Sequence, residues 1–430
     1  MSSNCERSPL SWAAGEGRDE AVVLLLGNKD VNPNITDRDG RTPLSWAARN
    51  GRDGVVKLLL ERKDVNPNIQ DNDGQTPLLW ATMRRRDRVV ELLLERDDVS
   101  PSITDRGGRT PLSWAVEYGR HVVVKLLLGR KDVNPNMQDN DGQTPLSRAS
   151  KFGHEEVVKL LLRCQNVNPN IADKFSLTPL LSAATSPHHG IVRLLLERED
   201  VNPNMADNIG RTPLSRAASG GNDEAVQLLL GRKDVDPNIP DNNGQTPLSR
   251  ASGSGHREVV KLLLRCQNVN PNITDTSGRT LLWWSAQYAD DRTVKLLLQR
   301  KDITPDIRSY HIQTPLATAA RLGHGGVVKL LLRHKDVNPN ITDKVGRTPL
   351  SWAASSDNDE VVQLLLGRKD VDLNIPDNDG RTPLWWASCT RKEGAVRLLK
   401  ARQSANTDAV WPKYNKVFAI ALLKKTPTAS

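Results

Sequence analysis

One period governs this chain. A Thr-Pro-Leu tripeptide, or a close variant of it, begins at Thr42, Thr76, Thr110, Thr144, Thr178, Thr212, Thr246, Thr280, Thr314, Thr348 and Thr382, with Ser8 in the same register ahead of them. Each step is 34 residues, so twelve repeats account for 408 of the 430 residues without one insertion or deletion. A chain of this length exceeds the roughly 250–300 residues at which a single hydrophobic core stops growing. A short strict period resolves the difficulty by building many small, similar cores in a row. The composition agrees, because only 4% of the residues are aromatic and mean hydropathy is −0.51, too little for one large globular core.

One repeat can be read physically. In "TPLSWAARNG", Thr42 is placed to accept a backbone N–H as an N-cap, and Pro43 suits the first helical position, where no N–H is needed. Gly51 suits a left-handed stop. This predicts a helix of about two turns, with Leu44, Ala47 and Ala48 on one face and the alanines admitting a close neighbour. "RDGVVKLLLERK" predicts a second helix. Asp53 lies at its positive end, Val55, Val56, Leu59 and Leu60 form an apolar stripe, and the valine equivalent to Val56 recurs from Val22 to Val396. "DVNPNIQDNDGQ" is rich in turn formers and returns the chain to the next Thr. Such a pair cannot bury its stripe alone, so repeats must stack into an all-α solenoid.

Several function classes are disfavoured at once. The balance of 60 basic and 51 acidic residues is mild and lacks the concentrated basic footprint of a dedicated nucleic-acid binder. Cys5, Cys164, Cys266 and Cys389 are far apart, without C-x-x-C or zinc-ligand spacing, so no structural metal is expected. "MSSNCERSPLSWAAGEG" has no apolar leader, and no stretch is long enough to span a bilayer, so an intracellular chain is expected, cytoplasmic with the nucleus as the alternative. "HEEVV" at His154 lacks a second metalloprotease histidine, and there is no phosphate loop or nucleophile elbow, so neither enzyme activity nor a cofactor is expected. His154, His188, His256 and His324 share the position just before the second helix, where a turn or capping role is the reading.

The pattern D-x-x-G-x-T-P-L-x-x-A-A, then G, then V-V-x-L-L-L, resembles the ankyrin repeat, and the resemblance covers essentially the whole chain. It implies stacked antiparallel helix pairs, projecting hairpin tips, and a concave face of tips and first helices that binds other proteins. Two departures stand out. The position after Thr-Pro-Leu, commonly His in the family, is Ser in most repeats, and the usual 33-residue unit is lengthened to 34 around "RKDVNPN". That wording is similar to ankyrin arrays of filamentous fungi, which often sit in receptor-like or F-box proteins. Near-copies such as "VVKLLLRCQNVNPNI", at 157–171 and again at 259–273, show that repeats were duplicated in blocks. Residues 1–408 are read as twelve repeats and 409–430 as a degenerate capping helix and tail, with Phe418 and Ala421 in the Leu and Ala places.

Candidate contacts follow from where the repeats differ. The position four after the marker reads Trp46, Trp80, Trp114, Arg148, Ser182, Arg216, Arg250, Trp284, Thr318, Trp352 and Trp386, with Trp12 before them. Trp and Arg are enriched at interface hot spots, and on the first helix they would border the binding face, aromatic toward both ends and basic in the middle. Packing between repeats is the competing role. At the tips, Phe175, Tyr310 and His311 replace the usual Asp/Asn and Gly formula and are candidate partner contacts. "MRRRDR", Met83–Arg88, is the densest basic run. The expected function is non-enzymatic recognition of a protein partner by a monomeric scaffold or adaptor. The alternatives are an acidic ligand or nucleic acid held by the same Arg and Trp, or a recognition arm of a larger parent protein.

Overall fold

The computed structural model describes residues 7–311, 313–356 and 358–405. Helix pairs fill the described residues, with no strand among them. The chain divides into two compact bodies, Met1–Asp236 and Pro237–Ser430. The first holds the helix pairs of repeats one to seven and the second those of repeats eight to twelve, the last helix running over 393–405.

The local rules operate as the residues dictate. The first helix of repeat two is Pro43–Asn50; Thr42 Oγ1 accepts the Ser45 N–H, and Gly51 ends the helix at φ 72°. The serine that stands in place of the family's histidine has a partner. Its hydroxyl lies 3.0 Å from the Thr42 hydroxyl, and the same pairing recurs at Thr110 and Ser113, Thr144 and Ser147, and Thr348 and Ser351. The second helix, Asp53–Leu60, buries Val55, Val56 and Leu59.

Within each body, first helix packs on first helix and second on second. The valine column is fully buried from Val22 through Val362 and half-buried at Val396. A buried Val or Leu side chain contributes about 1.5–3 kcal/mol, and here that burial comes from neighbouring repeats. The cap expected around Phe418 and Ala421 lies outside the described residues.

The lengthened segment also has a use. Arg96 reaches back to the carbonyls of Leu60 (3.3 Å), Arg62 (3.4 Å) and Val65 (3.2 Å), while Asp98 holds its Nε at 2.8 Å. Arg300 does the same with Leu264, Cys266 and Val269, each at 2.8 Å. The last carbonyls of a helix have no partner of their own, and this arginine satisfies them for the preceding repeat.

The Asn-Pro-Asn element is a second latch. Asn68 Nδ2 donates to the Asp98 carbonyl at 2.7 Å and its Oδ1 accepts the Ser100 N–H at 2.8 Å. Asn34, Asn136, Asn170, Asn204, Asn238, Asn272 and Asn340 make the same pair of bonds to the repeat that follows each.

Candidate functional site

The face in question is made by the tips and the first helices, and it starts from the aspartate that opens each tip. Asp37 Oδ1 accepts the N–H groups of Asp39 (3.0 Å) and Arg41 (2.9 Å), closing the turn with Gly40 at φ 79°. Its other oxygen is buried and needs a donor, because an unpaired buried acceptor is costly. Trp46 Nε1, nine residues on, supplies it at 2.8 Å.

From Trp46 onward every Trp and Arg of the series does this work. Trp80 donates to Asp71, Trp114 to Asp105, Trp284 to Asp275, Trp352 to Asp343 and Trp386 to Asp377, all within 2.8–3.0 Å. Arg148, Arg216 and Arg250 pair with Asp139, Asp207 and Asp241 through Nε at 2.8, 2.7 and 2.7 Å. Arg148 also meets Glu117 at 2.5 Å. Indole and guanidinium are thus alternative donors to one acceptor, and the charges of the three central arginines are answered by carboxylates. Repeat ten shows the coupling from the other side, for there Thr318 replaces the donor and Ser309 replaces the aspartate.

These side chains differ in exposure. Trp46, Trp80, Trp114 and Arg148 are buried; Arg216, Arg250, Trp284, Trp352 and Trp386 are half-buried. Trp12 is 52% exposed.

The tips are the accessible part. Phe175 is 61% exposed and Tyr310 72% exposed, with His311 beside it also exposed. Each has an apolar neighbour that reading the tips by formula passed over: Ile209, 42% exposed, one tip beyond Phe175, and Val345, 52% exposed, one tip beyond His311. Ile209 and Val345 keep the Asp and Gly frame and so hide in the formula; a count of apolar residues at the third tip position finds them. Adjacent tips are tied by the backbone, as where the Asn208 N–H donates to the Phe175 carbonyl at 3.4 Å. Ser176 keeps the left-handed turn at φ 60° without glycine.

On the second body a cleft of 540 Å³ opens between the first helices of repeats eight and nine, Pro247–Gly253 and Leu281–Gln287, beside Ser252, Arg250, Trp284 and Tyr288. Tyr288 stacks on Trp284 with centroids 5.7 Å apart and is 71% exposed. Small residues at Ser252, Gly253 and Ser254 leave this room.

The histidines before the second helices do not cap their own helices. His154 Nε2 and His324 Nδ1 instead lie 2.9 Å from the Glu117 and Ala286 carbonyls of the preceding repeat. Cys164 and Cys266 are free, half-buried thiols, and burial pushes both above their ordinary pKa. Among the described residues no group of three or more His, Cys, Asp or Glu is placed to hold a metal ion, and no helix is long and apolar enough to cross a membrane.

No curated protein matches the chain. A family model described as ankyrin repeats in three copies matches in overlapping windows from residues 1–71 to 316–409, a family of protein-interaction modules that is typically non-enzymatic. Family match and stacked helix pairs agree: the chain belongs to the ankyrin-repeat family and is an all-α repeat solenoid.

Proposed function

We propose that this protein is a non-enzymatic recognition scaffold, acting as a monomer inside the cell, which holds a protein partner against its tips and first helices. The observation that carries the reading is the exposure of Phe175 with Ile209 and of Tyr310 and His311 with Val345, on tips whose backbones are fixed by hydrogen bonds. A large apolar side chain on a rigid, solvent-facing turn is unfavourable until a partner covers it. The Trp and Arg series serves the same face from beneath, by fixing each tip aspartate. Three free thiols among the described residues fit a reducing compartment.

The test is affinity capture from the native cell extract with the full chain as bait, beside Phe175→Asp/Ile209→Asp and Tyr310→Asp/Val345→Asp variants of unchanged unfolding midpoint. Loss of the same captured proteins in either variant supports the reading. Capture unchanged in both would refute it.

A further inference from the structure

The first three repeats carry a basic cluster separate from the central arginines. Arg7 lies 3.3 Å over the Trp46 ring; Arg49 lies 5.1 Å from Trp46 and 5.0 Å from Trp80; Arg84 lies 5.6 Å from Trp80. Arg41 sits between the same two rings but is paired with Asp39 at 2.9 Å. Guanidinium groups and indoles therefore alternate along the face, as cation–π geometry favours. Arg148, Arg216 and Arg250 each have a buried carboxylate; among the described residues no carboxylate forms an ion pair with Arg49 or Arg84. Burial, and then the charges of Arg41, Arg84 and Arg7, hold the Arg49 guanidinium below its ordinary pKa, with Asp39 only partly opposing them. The positive charge here is in excess.

We propose that the first-helix face of repeats one to three binds an acidic peptide segment, whose carboxylates pair with Arg7, Arg49 and Arg84. This deepens the protein-recognition reading and rests on it. Each guanidinium centre lies within 5.6 Å of an indole centroid, and its forked N–H groups suit a carboxylate, for which arginine exceeds lysine. Spacing fits a particular conformation. First helices stack at about 10 Å, and a polyproline II strand has three residues per turn rising about 3.1 Å each. An acidic residue at every third position then advances about one repeat per turn on one side of the peptide. A nucleic acid fits less well, because its bases need bare aromatic faces, whereas Trp46 and Trp80 are 3% and 7% exposed and overlain by arginines.

The experiment uses the full chain and two fluorescent probes, a (Glu-Pro-Pro)4 peptide and a twelve-residue oligothymidylate, titrated at low and physiological salt. The peptide is expected to bind, more weakly as salt rises. Arg49→Gln/Arg84→Gln should weaken it at least tenfold, and exposed Arg84→Gln alone, with an unfolding midpoint matching the parent, about threefold. Arg257→Gln, on the exposed start of the eighth repeat's second helix, should leave it unchanged. No peptide binding, an affinity within twofold of wild type in both Arg84 variants, or tighter binding of oligothymidylate would each overturn the proposal. Partners captured by the wild-type chain and lost by the tip variants would, with such a result, leave the wider reading intact.

Discussion

Among the described residues the asparagine latch is altered at Ser102, whose hydroxyl still donates to the Asp132 carbonyl at 2.8 Å, and at Asp306, whose repair is a quantitative test of how these repeats are joined. At the position of Asn272 and Asn340 the ninth repeat has Asp306. Asp306 Oδ2 takes the Asn338 N–H at 2.8 Å, as an asparagine Oδ1 would, which leaves Oδ1 in the place of the amide nitrogen. By the register of the other repeats that atom faces the Asp336 carbonyl, and it is buried without a partner. Burial pushes the Asp306 pKa up; the Asn338 N–H, Arg368 and His334 oppose the shift and Asp336 adds to it.

Asp306→Asn should make the missing bond. A hydrogen bond contributes about 1 kcal/mol net, and relieving an unpaired buried acceptor about 1–3 kcal/mol, so the variant should gain about 2 kcal/mol at neutral pH. The sign with pH follows from linkage. An acid whose folded pKa is raised stabilises the fold below its unfolded value, about 3.9, and loses that contribution as pH rises through the folded value. Protonated Asp306 can donate to the Asp336 carbonyl as asparagine does, so the advantage of the variant should be small near pH 4 and grow as pH rises through the folded value. Urea unfolding of both proteins at matched pH, with amide exchange to localise the change to repeats nine to eleven, measures it. A variant no more stable at pH 7, or an advantage constant from pH 4 to 7, would refute the account of the latch.

Three further outcomes follow from the same geometry. Trp46→Phe keeps an aromatic ring, smaller than the indole, but leaves Asp37 Oδ2 buried without its donor, and should cost at least about 1–3 kcal/mol in urea unfolding. Arg300→Ala removes three backbone contacts and strands the Leu264, Cys266 and Val269 carbonyls; a loss of about 2–3 kcal/mol, with faster amide exchange at the end of the eighth repeat's second helix, is expected. Gly323→Ala places a Cβ 1.6 Å from Asn358 Nδ2 at a φ of 77°, so a lower thermal midpoint is expected, recovered in part by adding Asn358→Ala.

Much of the architecture is legible in the sequence because it is local and repeated. The cap at Thr42, the stop at Gly51 and the valine column at Val56 each need only a few neighbouring residues to be recognised, and the period multiplies the signal. The latches are less legible, because Arg300 and Asn272 act on backbone atoms 30 or more residues away that no side-chain pattern announces. Trp46 and Arg148 are the least legible. Their position on the first helix fits partner contact and packing alike, and only the aspartate oxygen nine residues earlier shows which atom each side chain answers.

That oxygen also separates two kinds of difference between repeats. Where Trp gives way to Arg, as at Arg148, the donor survives and the tip aspartate stays paired; where the aspartate is lost, as at Ser309, the donor is lost with it at Thr318. The first kind of change keeps the tip aspartate paired from within the repeat; the second leaves the Ser309 and Thr318 hydroxyls buried without a partner, and in repeat six Ser182 has replaced the donor while Asp173 is kept. Phe175, Ile209, Tyr310 and Val345 have no such internal counterpart, and neither do Arg49 and Arg84, which carry charge that no carboxylate in the described chain pairs with. In an array built by copying blocks, uncompensated differences on the solvent side of rigid elements are where selection for a partner can be separated from selection for stacking. Reverting Phe175 and Ile209 to the Asp or Asn of the other tips should therefore leave the urea midpoint within about 0.5 kcal/mol of the parent, the range of ordinary surface substitutions, while removing partner capture.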